Sequence, residues 1–412
     1  MLRKTCLTLG VLALGTAAAP GSGPAQAQEI PVGHLATYTG PTSSVGKVYG
    51  AGIEDAIAYI NANGGIAGQK IDKDTVDYSY KTSRAISTYK KWQGQLEPVT
   101  IQGWGTADTE ALVRFVARDE VPYMSASYSG NLTDPTGDSP HSSLAAPYNF
   151  FYGPSYSDGC RAMVAWAKSD WESSGNDGQP TFMHMGDNHP YPNSPKEACR
   201  AYAEDQGFKV LSPIVYSLSP GDFKSQCLSL KEAGADYTYL ANTSGSNISL
   251  LRSCQTVGVE TQFLTNVWGF DENTVDPAGK AGDGIVFPVG AAQWGADVPG
   301  METVKAIAGG EERRALHYMR GVCSVMFMRD AMARAAEQGA IDGPNIKAAL
   351  ESMDGHVPDG MAGVCLPHTW TPENHRGTTK VMVYRNDYNG GDFSFEKLTT
   401  IDLPRRDDWL GW

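Results

Sequence analysis

Two long stretches of this chain alternate short apolar runs with amphipathic helical patterns, and that alternation leaves few architectures open. Between residues 30 and 150 the order is VGHLATY, GKVYGAGIEDAIAYINA, KDTVDYSY, SRAISTYKKWQGQL, VTIQGW, DTEALVRFVARD and VPYMSAS. Strand and helix taking turns in this way implies a parallel sheet covered on both faces. Asn63-Gly64-Gly65 ends the first helix with residues tolerant of positive φ. The segment from 127 to 147, rich in Ser, Gly and Pro, reads as a long surface loop.

A second α/β run starts near Tyr152, with helices SDGCRAMVAWAKSDW, SPKEACRAYAEDQG, DFKSQCLSLKEAGA and SNISLLRSCQTVG between strands TFMHMG, FKVLSPIVY, DYTYLAN and TQFLTN. This is again the pattern of a doubly wound sheet. Leu228, Leu230 and Ala233 on one helix, and Ile248, Leu251 and Cys254 on the next, follow helical spacing and are expected in the core. From Gly284 onward come a strand GIVFPVG, a helical tract to about residue 351, and strands around KVMVYRN and FSFEKLTTI.

Met1 to Ala27 carries Arg3 and Lys4, an apolar run from Cys6 to Leu14, and the small-residue ending Ala25-Gln26-Ala27. That is the layout of a cleaved secretory signal, so the mature chain is expected to begin at Gln28 in the periplasm. No later apolar run approaches the ~20 residues that span a bilayer, so no direct membrane insertion is expected. Without the signal there remain 31 basic and 46 acidic residues, a formal charge of −15. Such a field disfavours nucleic acid and anionic lipid as partners.

Six cysteines follow the signal, and export makes disulfides their default state. Spacing alone does not choose among the possible connectivities. Cys227 and Cys254 fall on successive expected helices, and Cys160 and Cys199 on another pair, so neighbours are expected to pair: Cys160 with Cys199, Cys227 with Cys254, Cys323 with Cys365. No C-x-x-C spacing suggests zinc, and no cofactor or metal is expected.

No G-x-S-x-G elbow, H-E-x-x-H helix, phosphate-binding loop or strand-linked G-x-G-x-x-G is present, so the residues name no catalytic group. His184 and His189 sit five apart and read as polar loop; His368, Glu373 and His375 read as solvated residues of a connecting segment. In open parallel sheets, ligands bind beyond the carboxyl ends of the strands. The positions this selects are Tyr38 and Thr39, Trp104 to Thr106, Ser127 to Ser129, Tyr191, Asn242 to Ser244, and Val267 to Trp268. Aromatic rings are dense among them: Tyr38, Trp104, Tyr128, Tyr191 and Trp268. Such faces suit an apolar or aromatic ligand, or a cation.

YINANGGIAGQKI (59 to 71), the loop and helix before it, and SLKEAGADYTYLANTSGSNISLLRSCQTVGVETQFL (229 to 264) resemble the periplasmic leucine/isoleucine/valine-binding proteins, the solute receptors of ABC importers. The resemblance follows the order of elements along essentially the whole mature chain. It implies two doubly wound α/β lobes joined by a three-segment hinge, the type I periplasmic binding protein or Venus flytrap fold. One lobe would comprise residues 28–150 and 290–365, the other 151–289 and 366–412, with crossings near 148–154, 284–290 and 363–380. It also implies a monomer that captures a small molecule and passes it to an inner-membrane ABC permease, without enzymatic activity. A sensory receptor of the same fold and a periplasmic enzyme on this scaffold are the alternatives.

In amino-acid-binding members, small hydroxyl residues and backbone N–H groups hold the substrate carboxylate; the matching positions here are Gly105-Thr106 and Ser127-Tyr128-Ser129. The site set then comprises Tyr38, Trp104, Gly105, Thr106, Ser127, Tyr128, Ser129, Tyr191, Asn242, Thr243, Trp268 and Asp271. Two departures argue against a free α-amino acid. Val267-Trp268 stands where the family has its acidic ammonium partner, leaving only Asp271 or Asp187 to reach in. Asp108, expected to cap the helix DTEALVRFVARD, would put a negative charge where the carboxylate should lie.

Overall fold

The computed structural model describes residues 1–2 and 29–412; the secretory-signal reading falls outside the described residues. The first sheet has five parallel strands in the spatial order Ile71–Asp77, Ile30–Ala36, Thr100–Gly103, Tyr123–Ser125, Asn149–Phe151. Right-handed crossovers put the helix Ser43–Ala62 on one face and the helices Thr82–Gln95 and Thr106–Arg118 on the other. The later helices Met301–Ala308 and Leu316–Glu337 pack on Ser43–Ala62. Their closest approach explains two glycines. A Cβ at Gly52 would lie 2.3 Å from the Tyr318 carbonyl oxygen, and one at Gly321 would lie 2.2 Å from that of Tyr49.

The second sheet runs Asp392–Asp402, Lys380–Asn389, Val286–Val289, Gln262–Thr265, Tyr237–Leu240, Thr181–Gly186, Lys209–Val210. Lys380–Asn389 pairs antiparallel with both its neighbours, and the remaining pairs are parallel. The single strand expected over FKVLSPIVY is two short pieces, Lys209–Val210 and Ile214–Val215, both paired with Thr181–Gly186. Pro213 interrupts it, because proline has no N–H to give to a ladder.

The three expected disulfides are present. Cys160–Cys199 ties the helix Tyr156–Ser173 to Lys196–Asp205, Cys227–Cys254 ties Lys224–Ala233 to Ser244–Val257, and Cys323–Cys365 anchors the loop after residue 351 to the long helix Leu316–Glu337. They close loops of 27 to 42 residues, worth about 3 to 4 kcal/mol each if unfolded-chain entropy is what they restrict.

Two expectations need correction. On the helix Lys224–Ala233 the buried positions are Cys227 and Leu230, while Ala233 is exposed and Leu228 is 55% exposed. The disulfide partner sets the rotation of this short helix, so Leu230 is buried as expected while Cys227 takes the place expected for Leu228. His368 and His375, expected in solvent, are fully buried. The Gly153 amide donates to His368 Nε2 at 2.8 Å, and His375 Nδ1 lies 2.9 Å from the Asn149 carbonyl oxygen. Each imidazole thus joins the segment 366–377 to the segment 149–153, and burial pushes the pKa of His368 down to about 3. Glu373 is exposed, as expected.

Candidate functional site

Three helices begin at the same place. Thr42, Gly105 and Thr243 are the N-cap residues of Ser43–Ala62, Thr106–Arg118 and Ser244–Val257, and all three line one small cavity between the two sheets. Helix amino termini carry partial positive charge and unpaired N–H groups, so their convergence favours electron-rich ligand atoms. The rest of the wall is aromatic. Tyr80 and Trp104 come from the first-sheet side, and Tyr156, Tyr191 and Trp268 from the second.

These rings are held by directed bonds. Trp104 Nε1 donates to Thr42 Oγ1 at 3.0 Å, Trp268 Nε1 donates to the Tyr156 hydroxyl at 3.1 Å, and the Tyr191 hydroxyl donates to Asn266 Oδ1 at 2.8 Å. Trp104 and Trp268 approach to 5.0 Å between ring centroids, directly across the junction. Tyr80 lies 5.2 Å from the His189 ring, and Ser129 Oγ lies 3.0 Å from Ser194 Oγ. The two halves are therefore closed on each other. Space open to the centre of a water-sized sphere amounts to about 10 Å³, room for roughly one water. Anything larger enters only if the halves separate or the rings turn.

Six of the positions selected from sequence meet at this cavity: Trp104, Gly105, Thr106, Tyr191, Thr243 and Trp268. Ser127 stands behind it, donating to Thr106 Oγ1 at 2.8 Å. Tyr128 packs 5.5 Å from Trp268, and Ser129 donates to Glu110 at 2.7 Å. Three positions lie elsewhere. The Tyr38 ring rests against Gly50, with its hydroxyl donating to Glu54. The Asn242 side chain accepts from the Asp187 amide and donates to the Tyr216 and Ser217 carbonyls, shaping the loop backbone. Asp271 caps the helix Glu272–Ala278 through a reciprocal bond with Thr274.

Neither acidic group that could have received an ammonium lines the cavity: one Asp271 oxygen is held in its cap while the other lies 3.4 Å from His317 Nε2 without a hydrogen bond, and Asp187 accepts from the Leu218 amide at 2.6 Å. Asp108 is not the cap of its helix. Gly105 holds that position, and Asp108 sits in the first turn, where the Tyr78 hydroxyl donates to it at 2.8 Å while accepting from the Gly105 amide at 3.0 Å. Complete burial pushes the Asp108 carboxyl up to about 7. Its proton removes much of the negative charge expected beside the cavity.

Sequence reasoning missed Thr42, Tyr80, Ala126 and Tyr156. Tyr80 follows the strand Ile71–Asp77 and could have been found by the strand-end rule that selected the others. It also holds φ +60°, a left-handed conformation costly for a bulky residue and most often kept where geometry matters. Tyr156 opens a helix, and nothing in its local sequence marks it.

A parallel sheet and a mostly parallel one, with strand ends and helix amino termini facing each other across an aromatic cavity, define a two-lobed ligand receptor. The chain belongs to the periplasmic binding protein family, whose profile matches residues 29–392. An ABC transporter substrate-binding protein from Aeropyrum pernix superposes with a TM-score of 0.81 at 28% identity, over 93% of this chain and 98% of that one. A branched-chain amino acid ABC transporter protein from Thermus thermophilus with bound valine gives 0.80 at 19% identity, covering 90% and 96%. A solute-binding protein from R. palustris in complex with 4-hydroxybenzoate gives 0.73 at 15%, covering 93% and 99%. Comparison with curated proteins gives no match.

Proposed function

We propose that this protein is the periplasmic receptor of an ABC importer, which closes its two lobes over a small organic molecule with an apolar or aromatic body and presents it to an inner-membrane permease. The observation that carries the reading is the cavity itself. Rings from both sheets face each other there beside three helix amino termini, in the family whose fold the chain has. The known neighbours include one holding an amino acid and one holding an aromatic acid. Among the described residues no acidic side chain lines the cavity to receive an α-amino group, which favours a ligand other than a free amino acid; leaving an ammonium buried and unpaired costs several kcal/mol.

The lobes would be residues 28–150 with 290–365 and 151–289 with 366–412, hinged where the chain passes between the sheets. Opening separates Trp104 from Trp268 and exposes the helix termini; closure buries the ligand. Binding without conversion is supported by the hydroxyls of the wall. Thr42, Thr106 and Tyr156 each accept from an indole or a serine hydroxyl, and none of the three bonds to an imidazole among the described residues.

A cognate ligand stabilises the folded protein by mass action, about 2.7 kcal/mol at a hundred times the dissociation constant. Thermal-shift screening of aromatic and aliphatic acids, amides, amines and alcohols identifies it. Replacing Trp104 with Ala abolishes that shift while the unliganded protein stays folded; an unchanged shift removes the cavity from the account. Mass spectrometry of the compound after prolonged incubation returns it unaltered, and a changed product would instead make the protein an enzyme.

A further inference from the structure

Arg320 is fully buried in the helix Leu316–Glu337, yet it forms no ion pair with any carboxylate among the described residues. Its Nη1 donates to the Val267 carbonyl at 2.9 Å and lies 3.3 Å from His317 Nδ1; its Nε and Nη2 have no hydrogen-bond partner. The neighbouring imidazole supplies no negative charge, and Asp271 faces His317 at 3.4 Å. What covers the guanidinium is aromatic: its carbon stands 3.7 Å from the centroid of the Trp268 ring and 4.9 Å from that of Tyr128. Ring faces attract a cation, but by about 2 kcal/mol, far less than the several kcal/mol that burying a charge costs.

Trp268 is at once the lid on this cation and a wall of the cavity. None of the residues lining the cavity carries a charge. Among the acidic groups close in sequence to its walls, Asp158 is shared by Arg161 and Arg376, Asp187 accepts from the Leu218 amide, Asp271 caps a helix with its second oxygen 3.4 Å from His317, and burial raises the Asp108 carboxyl to about 7. Arg320 is therefore a buried cation without a carboxylate partner, beside a cavity with no charged wall, in a protein whose net charge is strongly negative. We infer that the ligand is an organic carboxylate, and that on binding the Trp268 indole turns aside so that the carboxylate pairs with the Arg320 guanidinium while its apolar body stays among the rings. A guanidinium whose Nε–Nη2 edge is free is suited to bidentate pairing with a carboxylate, in a site where such bonds are strongest. The inference rests on the reading of the cavity as a capture site and gives that site its substrate class.

The test compares acids with their own amides, which share shape but not charge. Benzoate, phenylacetate and hexanoate are titrated against benzamide, phenylacetamide and hexanamide, by thermal shift and calorimetry, in the wild-type protein and in Arg320→Gln. The inference expects at least one acid to bind about tenfold or more tighter than its amide, the ratio a single charge-assisted pair readily supplies. It also expects Arg320→Gln to lose that preference. An amide that binds as well as its acid, or an acid that binds Arg320→Gln as well as wild type, overturns the pairing while leaving small-molecule capture standing. Silence from both series counts against capture in this cavity, and the inference falls with it. The acid-to-amide ratio in the wild-type protein decides the matter even if Arg320→Gln does not fold.

Discussion

Asp108 carries a charge that burial can remove, and its pH signature is measurable. The ordinary value for its carboxyl is 3.8, and burial raises it to about 7. A group that binds its proton more tightly when folded contributes stability below the unfolded value and loses it as pH rises through the folded value. Stability should therefore fall from about pH 4 to pH 7 through this residue. Asp108→Asn keeps an acceptor for the Tyr78 hydroxyl and needs no proton, so it should gain on wild type across that window, by up to about 4 kcal/mol at pH 8 and by nothing near pH 4. Urea melts at several pH values check this, and parallel curves for the two proteins would refute it. At the same scale, the strand-end rule made Trp104, Thr106, Tyr191, Thr243 and Trp268 legible in the sequence, because it needs only local pattern. Arg320 was not legible. A lone arginine in an apolar helical run looks like any other, and its meaning depends on Val267, Trp268 and Tyr128 arriving from distant parts of the chain.

Among elements, the pair formed by Ser43–Ala62 and Leu316–Glu337 does most to set the shape of the first-sheet side. Gly52 and Gly321 let the two backbones touch, so neither has space for a methyl group. Gly321→Ala should lose about 1 to 3 kcal/mol by overpacking despite the better helix propensity of alanine, read as a lower urea midpoint with unchanged slope. A rise in stability would show that the helices yield easily. Alternation of strand and helix sufficed to recover both sheets, the long helical tract and the returning strands. It failed where a local feature competes with period: at Pro213, which splits a strand, and on Lys224–Ala233, where the disulfide turns the helix so that Leu228 points outward. His368 and His375 were misread for a related reason. Their polarity suggested solvent, whereas each ring satisfies buried backbone groups of another segment.

At the level of the whole molecule, the carboxyl-terminal tail adds a contact between the parts. Trp409 is covered by the Arg161 guanidinium at 4.0 Å, on the second-sheet side, while the Gly411 amide donates to Thr133 and the Trp412 ring stacks on His141, both in the loop joining Tyr123–Ser125 to Asn149–Phe151 of the first sheet. Arg161 and Arg376 share the buried Asp158 carboxylate, fixing the helix Tyr156–Ser173 to the segment that enters the last strands. The tail therefore bridges elements of the two sides, and the aromatic cavity is where residues of both meet. The most direct test is a crystal structure of the protein saturated with the compound giving the largest thermal shift. It should show that compound enclosed between Trp104 and Trp268, within reach of Thr106 and the Thr243 helix terminus. The same compound bound outside the junction, with Trp104 and Trp268 still 5.0 Å apart, would contradict the account.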